Sequence, residues 1–280
     1  MTERRQAPGR VHEVSSLQNP IVKNIRALTQ KKHRDEEKAF LAEGLKLAID
    51  ALDGGWGVKT LIFAKSARGN ALVEKTAARA LASGGDVLEV SEKVLEAITR
   101  RDNPQNVVSV LKQRTVPLER IEAKPGDVVV ALDRVRDPGN LGTVIRTADA
   151  VGAKAVVLVG ETTDPFGLEA VRATMGSLFA VPLVRASEES FIAWRGRVAF
   201  RTLGTHLKGT TDFRKLPKDG RPTLLLMGNE AQGLNEALSG ACDLLTRIPQ
   251  VGQADSLNLA VATGVMLFEL RRDALTLDGQ

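Results

Sequence analysis

Apolar positions along this 280-residue chain recur in two rhythms, a period near 3.6 and short unbroken runs, and the two alternate from end to end. Near the start, Ile21, Ile25 and Leu28 fall on one helical face behind Pro20. A proline costs nothing at a first helical position, where its missing N–H would have no partner, so a helix is predicted to begin there. A second helix is predicted around "FLAEGLKLAIDALDGG", stopped by Gly54 and Gly55. Then "VKTLIFA", "DVLEVS" and "VVSVLKQ" read as strands separated by helices, the first of them "ALVEKTAARALASGG". These elements make a small α/β unit.

The pattern breaks at "RTVPLERIEAKPGD", which has two prolines, a glycine and little periodicity, and restarts more strongly after it. "VVVALD", "AKAVVLVG", "VPLVRA", "RVAFRTL", "TLLLMG" and "LLTRIP" are predicted strands. The helices among and after them are "NLGTVIRTADAVG", "LEAVRATMGSLF", segments near 187–196 and 233–240, and a final "SLNLAVATGVMLFELRRDAL". Strands rich in Val and Leu without polar alternation are buried on both faces, and alternation with helices makes their sheet parallel. The expected organisation is a mobile arm at 1–14, a first domain at 15–113, a linker at 114–126 and a second domain at 127–280. The fold class is α/β throughout.

Composition narrows this picture only in places. The longest apolar runs are far too short to span a bilayer, and no secretory leader pattern is seen, so a cytoplasmic protein without membrane contact is expected. A single cysteine, Cys242, excludes an intramolecular disulfide or a cysteine-clustered zinc site, and His12, His33 and His206 lack metal-ligand spacing. No metal is expected. The net charge of +5 matters less than its placement. Up to residue 34, eight lysines and arginines, among them Lys23, Arg26, Lys31, Lys32 and Arg34, face only Glu3 and Glu13. Such a segment serves either as a solvated face or as a holder of phosphates. With no tyrosine and two tryptophans, base stacking is a poor route to nucleic acid, and phosphate and ribose contacts would dominate.

In open parallel sheets, ligands bind outside the carboxyl ends of the strands. Four loops leave predicted strand ends with suitable chemistry: "DRVRDPGNLG", "LGTH" (203–206), "MGNEAQGL" (227–234) and "IPQVGQADSLN" (248–258). The first lacks the G-x-G-x-x-G spacing of dinucleotide sites, which argues against a nucleotide-dependent oxidoreductase. Asn140 near a helix start and Arg146 on its body could bracket an anion together. Gly228 would let backbone approach a ligand, Asn229 and Glu230 supply an amide and a carboxylate, and Gly233 allows the return. Ser256 stands where a helix cap belongs, with Asn258 at the second helical position.

Taken in order, "NLGTVIRTADAVGA", "LLLMGNEAQGL" and "IPQVGQADSLNLAVATGVMLFE" resemble the three motifs of the SpoU/TrmH RNA 2'-O-ribose methyltransferases of the SPOUT class. "SLQNPIVKNIRALTQKKHRDEEKAFLAEGLKL" and "DNPQNVVSV" resemble the small substrate-binding domain that many members carry in front. The resemblance implies a C-terminal parallel-sheet domain with a deep trefoil knot and a pocket for S-adenosylmethionine. That pocket would be lined by Leu203, Gly204, Thr205, Met227, Gly228, Asn229, Gly233, Ile248, Gln250, Ser256 and Leu257. Asn140, Arg146, Glu230, Ser256 and Asn258 would be the catalytic positions. Lys23, Arg26, Lys31, Lys32 and Arg34, with Arg136 and Arg146, would hold RNA. A homodimer through the C-terminal domain is implied, with Arg146 reaching the partner's pocket. The implied substrate is large-subunit ribosomal RNA; tRNA, or a non-catalytic role in RNA binding or ribosome assembly, are the alternatives.

Overall fold

The computed structural model describes residues 9–217 and 219–277. The first half of the chain runs β1 (Val11–Val14), α1 (Pro20–Ala27), α2 (Lys31–Glu37), β2 (Ala39–Glu43), α3 (Leu45–Asp53), β3 (Val58–Ala64), α4 (Ala71–Ala82), β4 (Asp86–Val90), α5 (Glu92–Thr99) and β5 (Val107–Lys112). Helix α1 begins as its sequence predicts: Pro20 takes a first-turn position and the Asn19 side chain accepts from the Ile21 N–H at 2.8 Å. The five strands form a mixed sheet in the order β1-β4-β3-β5-β2, in which β5 runs antiparallel to both of its neighbours.

Two expectations about this half are corrected. "FLAE" is not helical: Ala39–Glu43 is a strand, buried at every position and paired with β5, and the helix starts only after Gly44, at φ 119°. A segment buried on all sides carries no alternation, so periodicity could not separate it from the helix that follows. Nor are residues 11–14 an arm, because Val11–Val14 lies in register beside Val87–Val90. Residues 1–8 of the expected arm lie outside the described residues.

The second half runs β6 (Val128–Asp133), α6 (Pro138–Ala150), β7 (Val156–Val159), α7 (Leu168–Thr174), β8 (Leu183–Ala186), α8 (Glu188–Arg195), β9 (Arg201–Thr205), β10 (Thr211–Asp212), β11 (Thr223–Met227), α9 (Glu236–Gly240), β12 (Leu244–Arg247) and α10 (Leu259–Arg271). Seven strands make one sheet in the order β10-β12-β9-β11-β6-β7-β8, every pairing parallel, as the apolar runs predict. One core cluster fills one side, with Val129, Val157, Leu224 and Leu226 of the sheet against Phe191, Trp194 and Phe200. The predicted helix over 168–179 stops at Thr174, because Met175 turns left-handed at φ 53° and Gly176 follows at φ 104°.

The chain divides into two units whose limits differ from the predicted domains. One comprises the described residues up to Arg114 together with Asp164–Phe179; the other comprises Thr115–Thr163 and the described residues from Ala180 on. From Thr115 on, the expected linker is part of the second unit, since Leu118 is buried in its core and the Val116 N–H donates to Leu183 O at 2.8 Å. Segment 164–179 belongs to the first unit through specific contacts. Arg34 donates to Asp164 at 2.8 Å with both side chains buried, Arg172 Nε donates to Glu43 at 2.8 Å, and Phe166 packs on Phe40.

Because all seven strands of the second sheet run the same way, the ends of β6, β9, β11 and β12 open onto one edge. The loops that leave them are the four that the sequence analysis singled out.

Candidate active site

A cleft of about 1050 Å³ opens along that edge. Its walls come from the starts of α6 and α10 and from the loops after β9, β11 and β12. At its centre the three sequence motifs meet in one hydrogen-bonded chain. Asn258 caps α10: its Oδ1 accepts from the N–H groups of Ala260 at 2.9 Å and Val261 at 3.2 Å. An amide whose oxygen faces the helix must point its nitrogen away. The Asn258 Nδ2 accordingly donates to Asn140 Oδ1 at 2.9 Å. Asn140 then has only its own Nδ2 to offer, and this donates to Glu230 Oε1 at 3.4 Å. The helix cap thus sets the direction of every hydrogen bond out to the carboxylate.

Asn140 is itself fixed at its backbone. Asp137 caps α6 and accepts from the Asn140 N–H at 2.6 Å. The β11–α9 loop is held from the other side. Asn229 Oδ1 accepts from the N–H of Ala231 at 2.9 Å, its Nδ2 donates to Arg134 O at 2.9 Å, and Asn229 and Gly233 pair backbone to backbone. Arg134 stands at φ 44° with its guanidinium forked onto Asp133 at 2.8 and 2.9 Å, and it also donates to Gln232 at 3.1 Å. The hydrogen bond to Asp133 raises the Arg134 pKa further, so this anchor stays charged.

Most of the expected pocket residues line the cleft: Thr205, Met227, Gly228, Asn229, Gly233, Ile248, Gln250, Ser256 and Leu257, with Asn140, Glu230 and Asn258 among them. Arg136, expected to hold RNA, lies there too. Two expected members do not. Leu203 is fully buried in β9, and Gly204 is a packing glycine: a Cβ there would stand 2.6 Å from Cys242 Sγ and 2.9 Å from Leu234 and Leu245 methyls. The reason for Gly228 is also partly internal, since its Cβ would lie 2.5 Å from the Gly233 carbonyl carbon of the same loop. The cap of α10 is Asn258 rather than Ser256, which lies exposed in the preceding loop. Sequence reasoning missed Lys208 and Arg247, which share the wall with Arg136 and with His206 of the loop at 203–206. The Lys/Arg charge at two strand ends was the available signal.

Arg146 is not in the cleft of its own chain. It is exposed on α6, and no hydrogen bond or ion pair to it is seen among the described residues. Six residues on a helix advance about 600°, so Arg146 points about 120° away from Asn140. The two cannot bracket one anion within one chain. Arg34, expected at an RNA surface, is corrected outright: it is buried on Asp164 and on Leu28 O, and holds the first unit together. Lys23, Arg26, Lys31 and Lys32 are exposed.

Cys242 is half-buried, and burial pushes its thiol up to about 12, so it is a poor nucleophile. Among the described residues no group of three or more His, Cys, Asp or Glu is placed to hold a metal ion, and no helix is long and apolar enough to cross a membrane.

A parallel α/β sheet with a polar cleft built from three loops at one edge defines a small-molecule-binding domain, here preceded by a second α/β unit. Residues 127–268 match the model of the SpoU rRNA Methylase family, and residues 19–109 match the MRM3-like substrate binding domain. The chain is 33% identical to the 23S rRNA (guanosine(2553)-2'-O)-methyltransferase RlmP of Bacillus subtilis (strain 168), over 92% of this chain and 99% of that one. It is likewise 33% identical to the 23S rRNA (uridine(2479)-2'-O)-methyltransferase of Streptomyces viridochromogenes, over 89% and 88%. A crystal structure of an AdoMet-bound rRNA methyltransferase from Sinorhizobium meliloti superposes with a TM-score of 0.90 at 59% identity, covering 95% of this chain and 99% of that one. The chain belongs to the SpoU rRNA methylase family.

Proposed function

We propose that the protein methylates the 2'-hydroxyl of a ribose in 23S ribosomal RNA, using S-adenosylmethionine. The observation that carries this reading is the Asn258–Asn140–Glu230 chain, which ties the three motifs together at the mouth of the cleft. The two relatives at equal identity bear the names of a guanosine and a uridine, so the reading is of the ribose, not of one base.

The cleft suits the cofactor. Its size is at the upper end of small-molecule sites, roughly 300–1,000 Å³. Met227, Ile248, Leu257 and Leu259 offer an apolar wall for an adenine, while backbone and side-chain polar groups of Gly228, Thr205 and Gln250 lie beside it. When bound, S-adenosylmethionine supplies a methyl group on a positively charged sulfur that leaves readily. The chain's own task is therefore alignment, which can lower a barrier by roughly 7–11 kcal/mol in the best cases. Asn258 and Asn140 fix the Glu230 carboxylate, and Arg136, Lys208 and Arg247 draw RNA phosphates to the rim. Arg146 binds the phosphate beside the target ribose and polarises the hydroxyl; a guanidinium, with a pKa above about 12, is a poor general base, so the proton passes to that phosphate.

Arg146 reaches a cleft only from a second copy, so the active form is a homodimer through α6 and α10. Support comes from α10, where Val261, Val265 and Phe268 are 53%, 37% and 52% exposed along one face of a helix that packs on α6. The trefoil knot is part of the same reading. Its support is the strand order, in which β12 crosses to the far side of β9 before α10 returns to pack on α6 and on the turn at Phe213–Lys215. A ribosomal RNA substrate also supports a cytoplasmic location.

The test is methyl incorporation from labelled S-adenosylmethionine into 23S rRNA and tRNA lacking their modifications, with Arg146→Ala in parallel. Label in 23S rRNA with the wild type alone is expected. Label in tRNA only, or in neither, would sink the reading.

A further inference from the structure

A second recess, of about 260 Å³, lies on the first unit and has no part in the cleft described above. It is lined by Lys23, Arg26 and Ala27 of α1, by Gln30 just before α2, and by Ala97 and Arg100 from the end of α5, which packs on α1. Three cations converge there. Among the described residues none of the three has an ion pair, whereas several other cations of this unit do: Lys59 with Glu37, Arg68 with Glu89, Arg79 with Asp53. Lys23 and Arg26 are three apart on α1 and so share a face.

Arg100 adds an independent observation. It closes α5 in the left-handed conformation, at φ 56°, with its N–H donating to Glu96 O at 2.8 Å. Glycine fills such a position without steric cost, and an arginine does not. Cations near helix C-termini are individually favoured by the helix dipole. That accounts for Arg26 and Arg100 one at a time, but not for their meeting with Lys23 and the Gln30 amide around one concavity without an anion.

Resting on the function proposed above, we propose that Lys23, Arg26 and Arg100 form a phosphate-binding recess that grips the RNA backbone away from the target ribose. The recess is lined by three cationic side chains and one amide with no carboxylate, it is too small for a folded base stack, and it lacks the aromatic side chain that a base would need. Its ligand is a phosphodiester, not a nucleobase. It sets where on the RNA the substrate-binding unit sits, without reading sequence.

The experiment uses the full chain and an unmodified 23S rRNA transcript, with affinity measured by filter binding across a salt series. The variants are Arg100→Gly, Lys23→Ala with Arg26→Ala, and the triple combination. Arg100→Gly is the informative single change, because it relieves the left-handed residue and is therefore expected to leave the fold in place. The slope of log affinity against log salt falls by about 0.7–0.9 for each phosphate no longer neutralised, so loss of the gripped phosphodiester should lower it by about 1 in the triple variant, with affinity down roughly tenfold near 150 mM salt. Lys93→Ala, an exposed lysine on α5 outside the recess, should keep both slope and affinity. S-adenosylmethionine binding by calorimetry should be unchanged in all of them. An unaltered salt slope in the triple variant, or an equal effect from Lys93→Ala, overturns the proposal while methyl transfer by the wild type still stands. Wild type that binds RNA through the recess yet transfers no methyl overturns the reading of the cleft instead. Loss of binding to ribosomal particles but not to naked RNA would assign the recess to a protein partner and overturn it as well.

Discussion

The side-chain amide of Asn258 donates to Asn140 Oδ1 at 2.9 Å while its oxygen caps α10. One residue therefore performs a structural task with one atom and a functional task with the other, and the two can be separated. Aspartate caps a helix as well as asparagine does. It cannot donate, however, and would place a second acceptor against Asn140. The Asn140 amide would then turn toward the new carboxylate and leave Glu230 without its partner.

Asn258→Asp should accordingly hold stability within about 0.5 kcal/mol of wild type and lose most methyl transfer, on the order of a hundredfold, as for other groups that orient a reacting centre. Asn258→Ala should lose the same activity and about 1 kcal/mol of stability besides, because the cap goes too. Thermal unfolding and single-turnover transfer, measured side by side, check this. Equal destabilisation by the two variants would show that the cap is not the structural half of the role.

Arg146 is predicted to work from the opposite chain, and mixing tests that directly. Arg146→Ala should abolish transfer and leave S-adenosylmethionine binding nearly intact, since the residue lies outside its own cleft. Co-expression with an inactive Glu230→Ala chain should restore activity, because a mixed dimer contains one site with both an intact cleft and an intact arginine. Random pairing makes half the dimers mixed and one site in two of those competent, so about a quarter of wild-type activity is expected. No recovery from the mixture would place Arg146 at its own chain's site.

Where the sequence was legible, the reason was pattern on a regular element. All nine strands read from their apolar runs, from Val58–Ala64 to Leu244–Arg247, correspond to strands of the structure, with the largest differences at the starts of β7 and β9, which begin only at Val156 and Arg201. Asn140, Glu230 and Asn258 were found through motif order, and the structure joins them by hydrogen bonds no spacing could specify. Misreadings came from positions where tertiary context decides. Ala39–Glu43 is buried on every side and so carries no period. Arg34 looks in sequence like its exposed neighbours Lys31 and Lys32, and only Asp164, 130 residues away, makes it a core residue. Leu203 and Gly204 sit in a motif position yet face the core, because alternate faces of a buried strand are indistinguishable when both are apolar.

Two glycines in that neighbourhood should fail in different ways. Gly204→Ala would press a methyl against Cys242, Leu234 and Leu245 in the interior, an overpacking expected to cost about 1–3 kcal/mol of stability. Gly228→Ala meets the backbone of Gly233 instead, in a loop that lines the cleft, so the loop must shift. Its signature should be weakened S-adenosylmethionine binding, at least tenfold, with a smaller change in melting temperature. Calorimetric titration of both variants beside unfolding curves would expose the difference. Tight cofactor binding by Gly228→Ala would show that the loop accommodates the methyl and that the position matters only for packing.

The Sγ of Cys242 lies over Gly204 and donates to Leu238 O at 3.3 Å. Burial raises its pKa from 9.0 to about 12, outweighing the pull of the nearby Arg195 in the other direction. Folding thus favours the neutral thiol. The stability this contributes is fully present below pH 9, where the thiol is protonated in the unfolded chain as well, and is lost as pH rises toward 12. Two measurements follow. Native protein at pH 8.5 should react slowly with iodoacetamide while denatured protein reacts freely, because only thiolate is alkylated and the half-buried native thiol ionises far less. Stability between pH 9 and 12 should fall less steeply in Cys242→Ala than in wild type, even though the variant starts lower for its missing sulfur. Rapid alkylation of the native enzyme, with activity retained, would mean that the thiol is ionised and accessible in the folded state, and the burial argument would be wrong.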